Sequence, residues 1–171
     1  LILHFINDCY FMYNKTITKN LSDLSYDNLI FENGQGLLLS DNGKDTYDTT
    51  PSNTGILYSL ELLKNLNVSD ITAHYVTRPY LTRHGDGNLM NQLNRKKISS
   101  NVNEDRTNHY NNFQGEFRYG ILDINDLYKR INQNTGNVKY ELEVTHCDEM
   151  DRINEFKNIF EKVNIYDSPL I

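Results

Sequence analysis

The chain has 171 residues, a formal net charge of -6, and 38% hydrophobic against 23% charged residues. That balance fits one globular domain spanning 1–171 and excludes a disordered or membrane-embedded chain. No apolar run approaches the ~20 residues that span a bilayer, an acidic chain is a poor general binder of nucleic acid, and two cysteines, Cys9 and Cys147, make no disulfide framework. The expected setting is a reducing cytoplasm, with neither membrane nor nucleic acid as partner.

Residues 1–13 predict a helix, because Leu1, Phe5, Cys9 and Tyr13 fall four apart on one face. The chain starts at Leu1 inside this apolar segment, which predicts a piece of a longer protein. Leu29–Phe31 reads as a short buried strand that ends in the turn Glu32-Asn33-Gly34-Gln35-Gly36. Residues 40–52 carry turn and loop chemistry. Ser52 or Asn53 then caps a helix expected to run to about Leu66, and residues 71–76 predict a strand. Residues 83–88 form a second Gly-containing loop. From 91 to 112 there is little apolar periodicity, and this long polar stretch, with Arg95-Lys96-Lys97, reads as loop.

Asp123 is placed to cap a helix reaching about Asn132, and Gly136 turns the chain into a strand over 138–144. Residues 149–162 predict an amphipathic helix, with Met150, Ile153, Phe156, Ile159 and Phe160 at spacings of three and four. Residues 164–166 predict a last short strand. Strands and helices alternate, so the expected class is α/β, with a mostly parallel sheet and flanking helices.

Several loops carry groups with chemical uses. Gly34 and Gly36 let a ligand approach the backbone, and the Gln35 amide offers a donor and an acceptor to a purine O6 or N1; the same residues also make a plain turn. Thr46, Thr49, Thr50 and Ser52 put hydroxyls before a helix, suited to a phosphate or to ordinary capping. His84 and Asp86 are spaced for an acid/base pair or for a turn. Arg118 lies among Phe113, Phe117 and Tyr119, either packed on the rings or aimed at an anion. Asp148 follows a strand end, where an Asp accepts two hydrogen bonds from guanine or caps the next helix. His146 and Cys147 are adjacent, so in a strand they would face opposite ways, which disfavours a catalytic dyad. No His, Cys, Asp or Glu run has zinc-like spacing, and no protein-held transition metal is expected. No G-x-x-x-x-G-K-[ST] segment occurs in these residues.

Taken in order, five segments resemble those of adenylosuccinate synthetase. Residues 31–39, FENGQGLLL, resemble its FEGAQGxLLD; Thr46-Tyr47 and Thr50-Pro51-Ser52-Asn53-Thr54 resemble its TYPxVTSSNTT; residues 82–87, TRHGDG, resemble its STRVGxG. Residues 113–123, FQGEFRYGILD, stand where that family has TTGRRRRTGWLD, and residues 144–148, VTHCD, resemble its LTKLD. The resemblance covers residues 28–148, with the rest compatible.

The family joins IMP to L-aspartate with GTP and magnesium: the purine O6 is phosphorylated, and aspartate displaces the phosphate. The resemblance implies part of a P-loop-NTPase-like adenylosuccinate synthetase fold and a role in purine biosynthesis. It gives Gln35 a catalytic contact at the IMP base near O6, Thr50 a place on the IMP phosphate, and His84 a place beside the nucleotide. Thr107 and Arg118 would belong to the loop gripping aspartate and GTP. His146, Asp148 and Ser168 would line the guanine site. The Mg2+ ligands, the GDEGKGK phosphate loop and the catalytic His are implied to lie upstream, so this chain is expected to be inactive by itself and to act within a homodimer of the longer protein.

The departures mark a divergent member. One Arg stands for four, Glu116 adds a negative charge, and His146 replaces a Lys. A non-catalytic purine-nucleotide-binding module, or a paralogue using a related nucleotide, is the alternative expectation.

Overall fold

A computed structural model describes every residue except 18, 24, 26, 41–48, 51, 67, 69, 106, 170 and 171. The helices are α1 (Ile2–Lys15), α2 (Leu57–Lys64), α3 (Arg95–Ile98), α4 (Ile124–Thr135) and α5 (Ile153–Ile159). The strands are β1 (Thr72–Thr77), β2 (Tyr80–His84), β3 (Gln92–Leu93), β4 (Phe117–Ile121), β5 (Lys139–Val144) and β6 (Val163–Ile165).

The strands form two sheets rather than one. Sheet order β1-β5-β6 is parallel throughout, and β2-β4-β3 is antiparallel. The expected α/β class holds, but the mostly parallel sheet is confined to half of the strands. The reason lies in 78–122: this segment leaves the parallel sheet after β1, folds back on itself, and returns through α4 to β5.

The core sits on one face of the parallel sheet. Leu142 and Val144 of β5 meet Ile124 and Ile131 of α4 and Phe156 beside Phe160 at the end of α5. All six are at most 3% exposed, and burying such a side chain contributes about 1.5–3 kcal/mol. Asp123 starts α4 as expected, its Oδ1 accepting from the amides of Asn125 and Asp126 at 3.0 Å each. Gly136 ends it at φ 57° and ψ -120°, a region that a Cβ disfavours. A smaller core of Tyr80, Val102 and Tyr119 joins the antiparallel sheet to the segment after α3.

Several expected elements differ. Residues 29–31 form no strand; Ile30 is exposed, and the triple Leu37–Leu39 is a single 3-10 turn. An apolar run without a paired neighbour has no ladder to join. Helix α2 begins four residues after Asn53, whose Oδ1 instead accepts from the Gly55 amide and closes a local turn. Helix α5 is half the expected length, because 149–152 are spent on the sheet-end loop and the cap residue is Arg152. The polar 91–112 stretch contains β3 and α3, whose register comes from β4 rather than from apolar periodicity. Helix α1 forms as expected but buries no residue. Among the described residues no helix is long and apolar enough to cross a membrane.

Candidate functional site

The parallel strands run the same way, so their carboxyl ends converge at one edge of the sheet, where open α/β proteins bind ligands. The segments after β1, β5 and β6 meet there. Thr145 N donates to Thr77 O at 2.9 Å, and Cys147 N to Tyr166 O at 3.1 Å. Asp148 does not cap α5. Its Oδ1 accepts from the Ser168 amide at 2.7 Å and from the Ser168 hydroxyl at 2.8 Å. Burial raises this carboxyl, but the hydrogen-bond donors, led by Ser168, together prevail and hold it below the usual range. Thus two predicted guanine-site residues, 20 positions apart, touch.

The third, His146, is held in the left-handed region at φ 61°. Its Nδ1 lies 3.0 Å from the Thr145 hydroxyl, and burial, reinforced by the nearby Arg78 charge, pulls the imidazole pKa down. Cys147 turns inward, its Sγ 3.5 Å from Val144 O, and burial pushes the thiol up. The two side chains therefore form no dyad, and the reason is the loop's turn rather than strand alternation.

The first two resemblance segments are laced together. Thr50 donates through N and Oγ1 to Leu39 O, at 2.8 and 3.1 Å. Thr54 Oγ1 donates to Gly36 O at 2.8 Å, and Asn33 Nδ2 to Gly55 O at 3.1 Å. Gln35 is exposed at the tip. Thr46, Tyr47 and Pro51 lie outside the described residues. A Cβ on Gly34 or Gly36 would meet nothing within 4 Å, so neither glycine is demanded by packing. Gln35, Thr50, His84 and His146 all line one broad open cleft.

His84 and Arg118 lie on neighbouring antiparallel strands. His84 Nε2 is 3.3 Å from Gly115 O. Arg118 is cross-paired with Arg83, and the two guanidinium groups hold four successive carbonyls. Arg118 Nη2 donates to Gly85 O at 2.6 Å and Gly87 O at 2.8 Å, while Arg83 donates to Asp86 O at 2.8 Å and Asn88 O at 3.3 Å. Arg118 is thus neither stacked on the flanking rings nor free; it clamps the Gly85–Gly87 turn. It also borders a cavity of about 530 Å³ shared with Arg95, Asp105 and His109. That is within the size of small-molecule sites, ~300–1,000 Å³.

Thr107 is drawn away from any ligand. Its hydroxyl and amide donate to Asp105 Oδ1 at 2.7 and 2.9 Å, and Asn108 N adds a third bond at 2.9 Å. Burial opposes charge on Asp105, but these donors hold its carboxyl far below the usual range.

Sequence reasoning missed the buried Glu149. Its Oε2 accepts from the Tyr80 hydroxyl, its Oε1 from Asn103 Nδ2 at 3.0 Å and Asn103 N at 3.3 Å, and its carbonyl from Ser99 Oγ at 2.7 Å. Burial and then Glu149 push the Tyr80 phenol up. Glu149 therefore ties the sheet-end loop to the segment after α3. It stood within a predicted helix, and no local signal sets a pinned carboxylate apart from a solvated one. Arg95 was legible only as part of a basic run.

No protein-family model matches the chain, and no curated protein or solved structure matches it at a significant level.

Proposed function

We propose that this chain is part of a purine-nucleotide ligase like adenylosuccinate synthetase, which joins IMP to L-aspartate at the expense of GTP. The observation that carries the reading is the Asp148–Ser168 pair at the carboxyl edge of the parallel sheet. Ser168 donates twice to one carboxylate oxygen, which orients the exposed side chain, and in this reading the carboxylate accepts from guanine N1 and N2. The placement of Gln35, Thr50 and His84 on one cleft supports an IMP site. Among the described residues no three ligating side chains converge around Gln35, Thr50, His84 or Asp148, and none of the chemistry assigned to these residues runs through the family's Mg2+.

Calorimetric titration of the full chain with GDP and with ADP tests the guanine assignment. The proposal requires GDP to bind more tightly, and Asp148→Asn to erase the preference. Equal affinities in the unsubstituted chain contradict it.

A second reading is a nucleotide-binding module without catalysis. It is favoured by the commitment of the Arg118 guanidinium to the Gly85 and Gly87 carbonyls and of the Thr107 hydroxyl to Asp105. Both groups are needed at the aspartate and GTP loop in the ligase reading. Turnover of IMP and aspartate by the protein that contains this chain, lost in Gln35→Leu, separates the two.

A further inference from the structure

The parallel sheet has a second face, opposite the core, that carries polar side chains. Strand register places His74 directly beside Glu141, with Glu143 two residues along on the same face. One nitrogen and two carboxylate donors converge there, their ligand atoms all within 4.8 Å of one another. We propose that His74, Glu141 and Glu143 bind a single divalent transition-metal ion of the zinc class.

The donor set is one imidazole and two carboxylates, which suits zinc better than the all-oxygen sets that magnesium and calcium take. The positions are fixed by backbone pairing rather than by loops, so only side-chain rotation separates the present arrangement from a tetrahedral edge of roughly 3.4 Å, the spacing that zinc–ligand bonds of about 2.0–2.1 Å imply. His74 Nδ1 is already 2.8 Å from Glu143 Oε1. Binding replaces that hydrogen bond: the metal takes the Nδ1 lone pair, and the ring carries its proton on Nε2. Asn164 Nδ2 donates to Glu141 Oε2 at 3.1 Å and to Glu143 Oε1 at 3.0 Å, which orients both carboxylates.

An independent observation points to a missing cation. Glu143 Oε2 is shielded from solvent and has no hydrogen-bond partner among the described residues. Its side chain is 12% exposed. Burial raises this carboxyl, and His74, then Asn164, then Tyr166 hold it low on balance. A buried carboxylate oxygen without a donor is destabilising unless something positive completes it. The Lys162 ammonium sits on Glu141 instead. It occupies a ligand oxygen and is displaced when a metal enters. His74 is 53% exposed, so the fourth coordination position faces solvent.

The site is tested by titrating the full chain with Zn2+ in competition with a chromophoric chelator, with Co2+ absorption as a readout of coordination. One Zn2+ per chain is expected. His74→Ala and Glu143→Gln should each weaken it at least tenfold, and Lys162→Met should tighten it severalfold. The gain in Lys162→Met guards against misfolded variants, because misfolding does not create affinity. Absence of saturable uptake, or unchanged affinity in both His74→Ala and Glu143→Gln, overturns the proposal. Millimolar Mg2+ that competes equally with Zn2+ overturns the assigned metal class.

Discussion

Glutamate 149 is the strongest lever on the candidate site's geometry. It is 4% exposed, and its carboxylate accepts three hydrogen bonds, from Tyr80 and twice from Asn103. Hydrogen bonds to a charged acceptor contribute about 1.5–3 kcal/mol, and a buried donor left without one costs about 1–3 kcal/mol. Glu149→Ala strands the buried Tyr80 hydroxyl and two Asn103 donors, so a loss of about 3–4 kcal/mol is expected. Glu149→Gln keeps one acceptor oxygen but turns an NH2 toward either Tyr80 or Asn103. The Tyr80 hydroxyl can rotate and accept, which limits the loss to about 2 kcal/mol. Tyr80→Phe removes a single bond, and because it shares that bond with Glu149, the double variant should lose at least ~1 kcal/mol less than the sum. Urea unfolding followed by far-UV circular dichroism measures each value. Losses below about 0.5 kcal/mol in both Glu149 variants, or additivity with Tyr80→Phe, would refute the view that this carboxylate joins the sheet-end loop to the segment after α3.

Four further outcomes are expected. Phe156→Ala, at a side chain with no exposure, should cost about 3–5 kcal/mol in the same unfolding assay. Gly55→Ala places a Cβ 2.1 Å from the Asn134 amide, displacing the group that accepts from Ile56 N and the Tyr75 hydroxyl; a loss of about 1–3 kcal/mol and faster hydrogen exchange at 55–57 should follow. Arg118→Lys should release the Gly85–Gly87 carbonyls and speed proteolysis there, since an ammonium cannot reproduce the guanidinium fork. His146 has a folded pKa below its ordinary 6.5, so the unfolded chain takes up the proton first. Its contribution is therefore present above pH 6.5 and is lost as pH falls through that value toward the folded pKa, and His146→Asn should flatten that slope in a stability–pH profile.

The legible parts of the fold were those set by local chemistry. Asp123 and Gly136 bound α4 because a cap carboxylate and a left-handed glycine act within a few residues. The alternation of Tyr140, Leu142 and Val144 marked β5 for the same reason. The antiparallel sheet was not legible, because β3 and α3 owe their existence to β4, more than twenty residues on. Leu29–Phe31 had strand chemistry and found no partner. At the candidate site, Asp148 meets Ser168 because β5 and β6 are paired, so the loops that follow them share one edge. The commitments of Arg118 and Thr107 do not. They depend on which carbonyls and carboxylates the turns present, and sequence spacing carries no record of that. His74 with Glu141 and Glu143 escaped for a related reason: the residues are 67 and 69 positions apart, and only strand register makes them neighbours.

The central claim is that the segments around Gln35, Thr50 and His84 form a purine-nucleotide site. A nuclear magnetic resonance titration of the isotope-labelled chain with IMP tests it most directly. The account predicts saturable shifts confined to residues 33–40, 49–55 and 84–87, including the Gln35 side-chain amide, and their loss in Gln35→Leu. No shift in those segments at millimolar IMP would contradict it.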